Sequence, residues 1–153
     1  MGENEIVDLF WTFYRTTAVY LNIHLRRSIN GGYTWGELWD TGVPGQPAPP
    51  VRLPDGRLAM IYVDRTHEPK IACRTSSDNG KSWPASTETV IYAGGSESQT
   101  WEKTGMNDAW AEMGAFPVGL PDTTPLPNGD VLVVHYAGQH IDATDVHWVR
   151  MRT

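Results

Sequence analysis

The chain has 153 residues, the size of one ordinary domain, and 40% hydrophobic with 20% charged residues is the balance of a soluble protein. Its formal net charge is −6 and Lys and Arg do not cluster beyond Arg26 and Arg27, which excludes nucleic acid as an expected partner because phosphate binding needs a basic face. No apolar run approaches the roughly 20 residues of a membrane helix, and the acidic start from Met1 to Ile6 has no signal-peptide character, so no membrane partner is expected and a cytoplasmic location is the default.

In chain order, residues 5–14 and 19–27 read as strands. The segment Ser28-Ile29-Asn30-Gly31-Gly32-Tyr33-Thr34-Trp35 follows, then a strand over 36–41. A strand over 48–53 leads into Leu53-Pro54-Asp55-Gly56, a hairpin signal. Strands over 57–63 and 70–76 come next, then Ser76-Ser77-Asp78-Asn79-Gly80-Lys81-Ser82-Trp83 and a strand over 88–92. The long segment 93–114 contains Trp101 and Trp110, and Asn107 or Asp108 would cap a short helix within it. A strand over 115–120, a second hairpin signal at Leu126-Pro127-Asn128-Gly129, and strands over 130–136 and 145–152 complete the reading. Cys73, the single cysteine, reads as a small buried hydrophobe. The five histidines show no metal-ligand spacing, so neither metal nor cofactor is expected.

The two eight-residue segments share the pattern Ser-x-Asx-x-Gly-x-Thr/Ser-Trp, roughly 50 residues apart, a period typical of sheet repeats. The pattern has a mechanical sense. Asn30 and Asp78 fold back onto backbone N–H groups, and Ser28 and Ser76 brace the turn. Gly32 and Gly80 supply a positive φ, and Trp35 and Trp83 are aimed between neighbouring sheets. The role of these eight residues is therefore structural. With the Leu-Pro-Asx-Gly turns as inner hairpins, the chain divides into three units of antiparallel four-stranded meander, over 5–41, 48–92 and 115–153, with the first and last one strand short. This is an all-β, partial β-propeller of about half a ring, read as a single domain over 1–153. The unpaired sheet faces predict a homodimer that closes the ring.

The two repeats (Asp-boxes), the Leu-Pro-Asx-Gly turns and the closing strand from Asp145 to Arg152 resemble the sialidase (neuraminidase) superfamily, and look most like the C-terminal half of a six-bladed propeller. The resemblance implies a carbohydrate-active propeller with glycoside hydrolysis as its candidate activity. The alternative is a non-catalytic glycan-binding or structural propeller fragment. Sialidases use an arginine triad, a Tyr–Glu nucleophile pair and an Asp acid/base. The aromatic-Arg-Ile-Pro motif of the first arginine is absent, and where the nucleophilic Tyr is expected the chain has Phe116.

Ligand sites in propellers lie on the rim away from the Asp-boxes, which here receives 15–18, 42–48, 64–69, 93–114 and 137–144. Asp64 and Glu112 are the candidate catalytic carboxylates, since glycoside hydrolysis needs two. Trp110 beside Glu112 would raise its pKa toward acid/base duty. Arg65 and His67 share a loop suited to a carboxylate or sugar hydroxyl, and Tyr136 and His140 close the last rim segment, so these four with Trp110 are the expected carbohydrate contacts. Trp148 is expected in the core, with His147 on the opposite face of its strand.

Overall fold

A computed structural model describes residues 4–65, 69–94 and 103–153; His67 and Trp101 lie outside them. The architecture is all-β, with several antiparallel sheets and none closed. The first sheet has the order β1 (Ile6–Phe10), β4 (His24–Ser28), β5 (Trp39–Asp40). The second runs β10 (Thr89–Ala93), β9 (Lys70–Ser76), β8 (Leu58–Asp64), β6 (Gln46–Pro47), with β7 (Val51–Arg52) also paired to β8. The third runs β11 (Val118–Pro125), β12 (Val131–His140), β13 (Ala143–Met151). β2 (Phe13–Tyr14) and β3 (Val19–Tyr20) form a small separate hairpin, and an α-helix, α1 (Met106–Met113), precedes the third sheet.

The second sheet is the middle layer, and β8 is its spine. Every residue of β8 is buried, which explains why Leu58 to Val63 reads as an unbroken apolar run rather than an alternating one. Leu58, Met60 and Tyr62 pack with Val7, Ile23, Leu25 and Trp83 against the first sheet. Ala59, Ile61 and Val63 pack with Ile71, Cys73, Val118, Val131 and Val133 against the third. Burial pushes the Cys73 thiol up to about 11, which keeps it an uncharged core group.

Both Ser-x-Asx turns form as the side-chain chemistry dictates. Ser76 Oγ donates to Asp78 Oδ1 at 2.7 Å and accepts from Gly80 N at 2.8 Å, while Ser82 N and Oγ donate to the same carboxylate at 2.9 and 2.6 Å. Ser28, Asn30 and Thr34 repeat the arrangement, with Gly32 N on Ser28 Oγ at 2.9 Å and Thr34 N on Asn30 Oδ1 at 2.9 Å. Gly80 has φ +88°, and a Cβ there would meet Leu25 Cδ1 at 2.9 Å, so the turn excludes other residues on two grounds. Trp83 and Trp39 both donate their indole N–H to the Gly80 carbonyl, at 3.0 and 3.3 Å, tying the second sheet to the first.

The differences from expectation are physical. The strand expected over 5–14 breaks at Trp11 and Thr12, and its second part pairs instead with β3. The strand expected over 48–53 is split into β6 and β7 around Ala48, Pro49 and Pro50, because proline cannot donate to a ladder. No open loop spans 137–144: β12 and β13 remain paired from Val131 and Met151 out to His140 and Ala143. Asn107 and Asp108 lie inside α1, whose N-cap is Gly105. Trp148 is 69% exposed rather than core, because it stands on the free face of the outer strand β13, and Trp35, in the connection between β4 and β5, is 38% exposed rather than enclosed between sheets.

Candidate functional site

Three chain segments meet at the end of β8 remote from the Ser-x-Asx turns. β8 pairs Leu58 with Ser76 and Asp64 with Lys70, so Arg65 and the Asp78 turn sit at opposite ends of one strand, about 20 Å apart at the rise of a β-strand. There, Arg65 is buried at 9% exposure. Its Nε donates to Val118 O at 2.8 Å, its Nη1 donates to Gln46 Oε1, and its guanidinium lies 4.6 Å over the Phe116 ring. Gln46 uses its other end to reach Met113 Sδ at 3.0 Å, which links β6 to α1. Tyr136 also hydrogen-bonds Arg65. It reaches across Gly119, its partner on β11, where a Cβ would sit 2.3 Å from Arg65 Nη2 and 2.4 Å from the Tyr136 hydroxyl. Burial pulls the Arg65 guanidinium below its usual range, and the adjacent Tyr136, Tyr20 and Glu112 oppose that pull.

Glu112 enters the same space from α1 and is 1% exposed. Lys103 holds both carboxylate oxygens at 3.0 Å and also lies 5.0 Å over the Tyr20 ring. The Tyr20 hydroxyl hydrogen-bonds Glu112 and stands 3.2 Å from the Ala109 carbonyl. Burial first, then that bond, push the Tyr20 phenol well above its ordinary range. A chain of rings backs it: Tyr20 lies 5.5 Å from Trp11 and 5.3 Å from Phe13, and Trp11 meets Trp110 edge-on at 5.8 Å.

Between these groups is a pocket of about 180 Å³, walled by Trp11, Tyr20, Pro44 and Phe116, with Gln46, Arg65 and Glu112 also in its lining. The structure thus brings Glu112 and Arg65 together. It does not bring in Asp64, which lies between Val63 and Arg65 on β8 and faces the other side, toward Tyr62. Trp110 is exposed on the outer side of α1. Tyr136 supports Arg65 from behind, and His140 is an exposed residue at the far end of β12. Sequence reasoning missed Trp11, Tyr20, Lys103 and Gln46. Trp11 and Tyr20 flank the expected rim segment 15–18, and Gln46 and Lys103 lie within two others, 42–48 and 93–114.

No protein-family model matches the chain, and no curated protein matches it. Among solved structures, it is similar to the crystal structure of a protein of unknown function from Dyadobacter fermentans DSM 18053, with a TM-score of 0.59 and 20% identity. The match covers 97% of this chain and 35% of that one, so the chain spans little more than a third of that protein's length. The likeness is one of fold.

Proposed function

We propose that this chain is a partial β-propeller of the Asp-box, sialidase-like kind, and that its pocket binds a carbohydrate. The observation that carries the reading is the composition of one small pocket, lined by the aromatic side chains of Trp11, Tyr20 and Phe116 together with the polar residues Arg65, Gln46 and Glu112. A pyranose has the complementary surface, with apolar C–H faces for the rings and hydroxyls for the carboxylate and amide. The volume suits a single sugar ring. The pocket's place at the end of β8 away from both Ser-x-Asx turns agrees with the rim on which such folds carry ligands.

The test is a glycan array followed by calorimetry on the sugars it selects. Saturable binding is expected. Trp11→Ala, which removes a wall, and Glu112→Gln, which removes the charge but keeps the shape, should each weaken it by 1–3 kcal/mol, roughly the cost of losing a charged hydrogen bond or a ring contact. A folded protein that binds no glycan on a broad array would end this reading.

Glycoside hydrolysis is a second reading, favoured by the Tyr20–Glu112 hydrogen bond, because the resemblance implies a Tyr–Glu nucleophile pair. In that chemistry Glu112 would take the phenol proton as the Tyr20 oxygen attacks the anomeric carbon. A proton donor for the leaving group is also required, and no second carboxylate is among the described residues lining the pocket. Binding is therefore the better-supported function. Turnover of a fluorogenic glycoside that disappears in Tyr20→Phe would establish the hydrolase; array binding without turnover would remove it.

A further inference from the structure

The ladder of β12 and β13 sets His135 directly opposite His147, on the face that packs toward the second sheet. Their imidazoles stack, with centroids 5.5 Å apart and planes within 14° of parallel. Tyr92 of β10 closes the group, its ring 5.4 Å from His135 and 5.8 Å from His147. His135 is 3% exposed, and neither Nδ1 nor Nε2 meets a hydrogen-bonding partner among the described residues. A phenylalanine would fill this place more favourably, since a buried ring nitrogen without a partner is destabilising. What an imidazole adds is the capacity to take up a proton just below neutrality.

Uptake is unfavourable here on two counts. The cation would lose its hydration, and it would lie against a second ring that also titrates. Titratable groups face His135 from the neighbouring strands: His147 and, one alternation further, Asp145 from β13, Tyr92 from β10, and Cys73 from β9. β11 presents the irregularity between Gly119 and Asp122, and Asp122 pairs with Val134 on the opposite face. Asp145 is exposed, so water screens its charge. Burial first, and His147 next, pull the His135 imidazole below its usual range. The adjacent residue of β12 connects this group to the pocket. Tyr136 points to the other side of the strand and hydrogen-bonds Arg65, and Val118 of β11, paired with Ala137, accepts from Arg65 Nε at 2.8 Å. A shift of β12 at His135 is therefore carried within one or two residues to the groups that hold Arg65. We propose that the stacked His135–His147 pair is an acid-sensitive joint: protonation lifts β12 and β13 away from β10, Tyr136 and Val118 release Arg65, and the pocket loses its ligand below neutral pH. The joint itself does not depend on what the pocket holds; its use in releasing a carbohydrate rests on the reading above.

NMR of the full chain, with denaturant melts at matched pH, tests this. Because the folded state holds the His135 proton less tightly than the unfolded chain does, stability is whole above about pH 6.5 and is lost as pH falls through that value toward the folded one. In the wild type, stability and the protection of the Arg65 Nε–H, corrected for intrinsic exchange, should both fall between about pH 7 and 5. In His135→Phe, which keeps a ring but cannot titrate, both should stay level over that range. His24→Gln, on the first sheet, should retain the fall. Level stability in the wild type, or an equal fall in His135→Phe, overturns the joint. If His135→Phe does not fold, the ring-proton titration of His135 in the wild type decides. A midpoint at or above the ordinary imidazole value overturns the joint; one below it, with Arg65 protection lost at the same midpoint, supports it. A glycan array run at both ends of the range reads the pocket itself. Binding lost at the lower pH in the wild type and kept in His135→Phe supports the release. Binding that persists while Arg65 loses protection overturns it, whereas no signal at either pH ends the carbohydrate reading alone.

Discussion

Glu88 shows how one side chain can organise a sheet edge. It accepts from Tyr62 Oη at 2.6 Å, Lys70 Nζ at 2.6 Å, and Arg74 Nε and Nη2 at 2.9 and 2.8 Å. The Lys70 bond first, then that of Tyr62, hold its carboxyl down to about 2. A depressed folded-state pKa means the contribution is whole above the unfolded value and is lost as pH falls through the folded one. Denaturant melts of the wild type should therefore lose stability between about pH 4.5 and 2, and Glu88→Gln should flatten that acid limb. An identical acid slope in the variant would remove Glu88 from the account. Asp78 is held down to about 2 as well, by the Ser82 hydroxyl first, but its work is local. Asp78→Ala should cost about 1–2 kcal/mol in a thermal or urea melt, as for other lost turn and cap bonds. Carbohydrate affinity should stay the same, because the turn and the pocket occupy opposite ends of β8. Loss of affinity at constant stability would place the ligand at the turns.

At the scale of elements, legibility follows sequence distance. The Ser-x-Asx turns are readable because donor and acceptor lie within eight residues, and β8 is readable because burial on both faces leaves an unbroken apolar run. The β2–β3 hairpin is not readable. Its reason is tertiary: Tyr20 must reach Glu112 and Ala109, which lie far along the chain. The candidate site was half legible for the same reason, since Arg65, Lys103 and Glu112 belong to expected rim segments, whereas the rings from Trp11 and Tyr20 join only through the fold. The direction of Asp64 was in principle available, because alternation along β8 puts it opposite Val63 and Arg65. Close approach was invisible too: Gly119 shows no motif, yet its missing side chain lets Tyr136 reach Arg65. Gly119→Ala should cost about 1–3 kcal/mol as an overpacked site does, and it should weaken glycan binding together with stability. A silent substitution in both assays would mean that the Arg65–Tyr136 contact does not order the pocket.

At the scale of the molecule, the sheets are unequal. The middle sheet is covered on both faces, and the outer two on one. The free face of the third sheet sets Val134 beside Trp148, with Val146 76% exposed on the same side; the free face of the first carries Ile6, Phe10 and Leu38. We propose that a second copy covers them, third sheet on first and first on third about a two-fold axis, so that both faces are buried at once. Sedimentation should give a dimer at micromolar concentration that Trp148→Asp turns into a monomer. A folded wild-type monomer would refute it. The same inequality ranks the amides in time. An opening that peels either outer sheet leaves β8 paired to β9, whereas exposing β8 requires the whole core to separate. Hydrogen exchange should therefore be slowest at Ala59 to Val63, approaching the global unfolding free energy, and faster by sub-global opening in β1 and β13. Binding a second copy would slow the outer strands and leave β8 almost unaffected, so the molecule carries its own internal clock against which assembly can be timed.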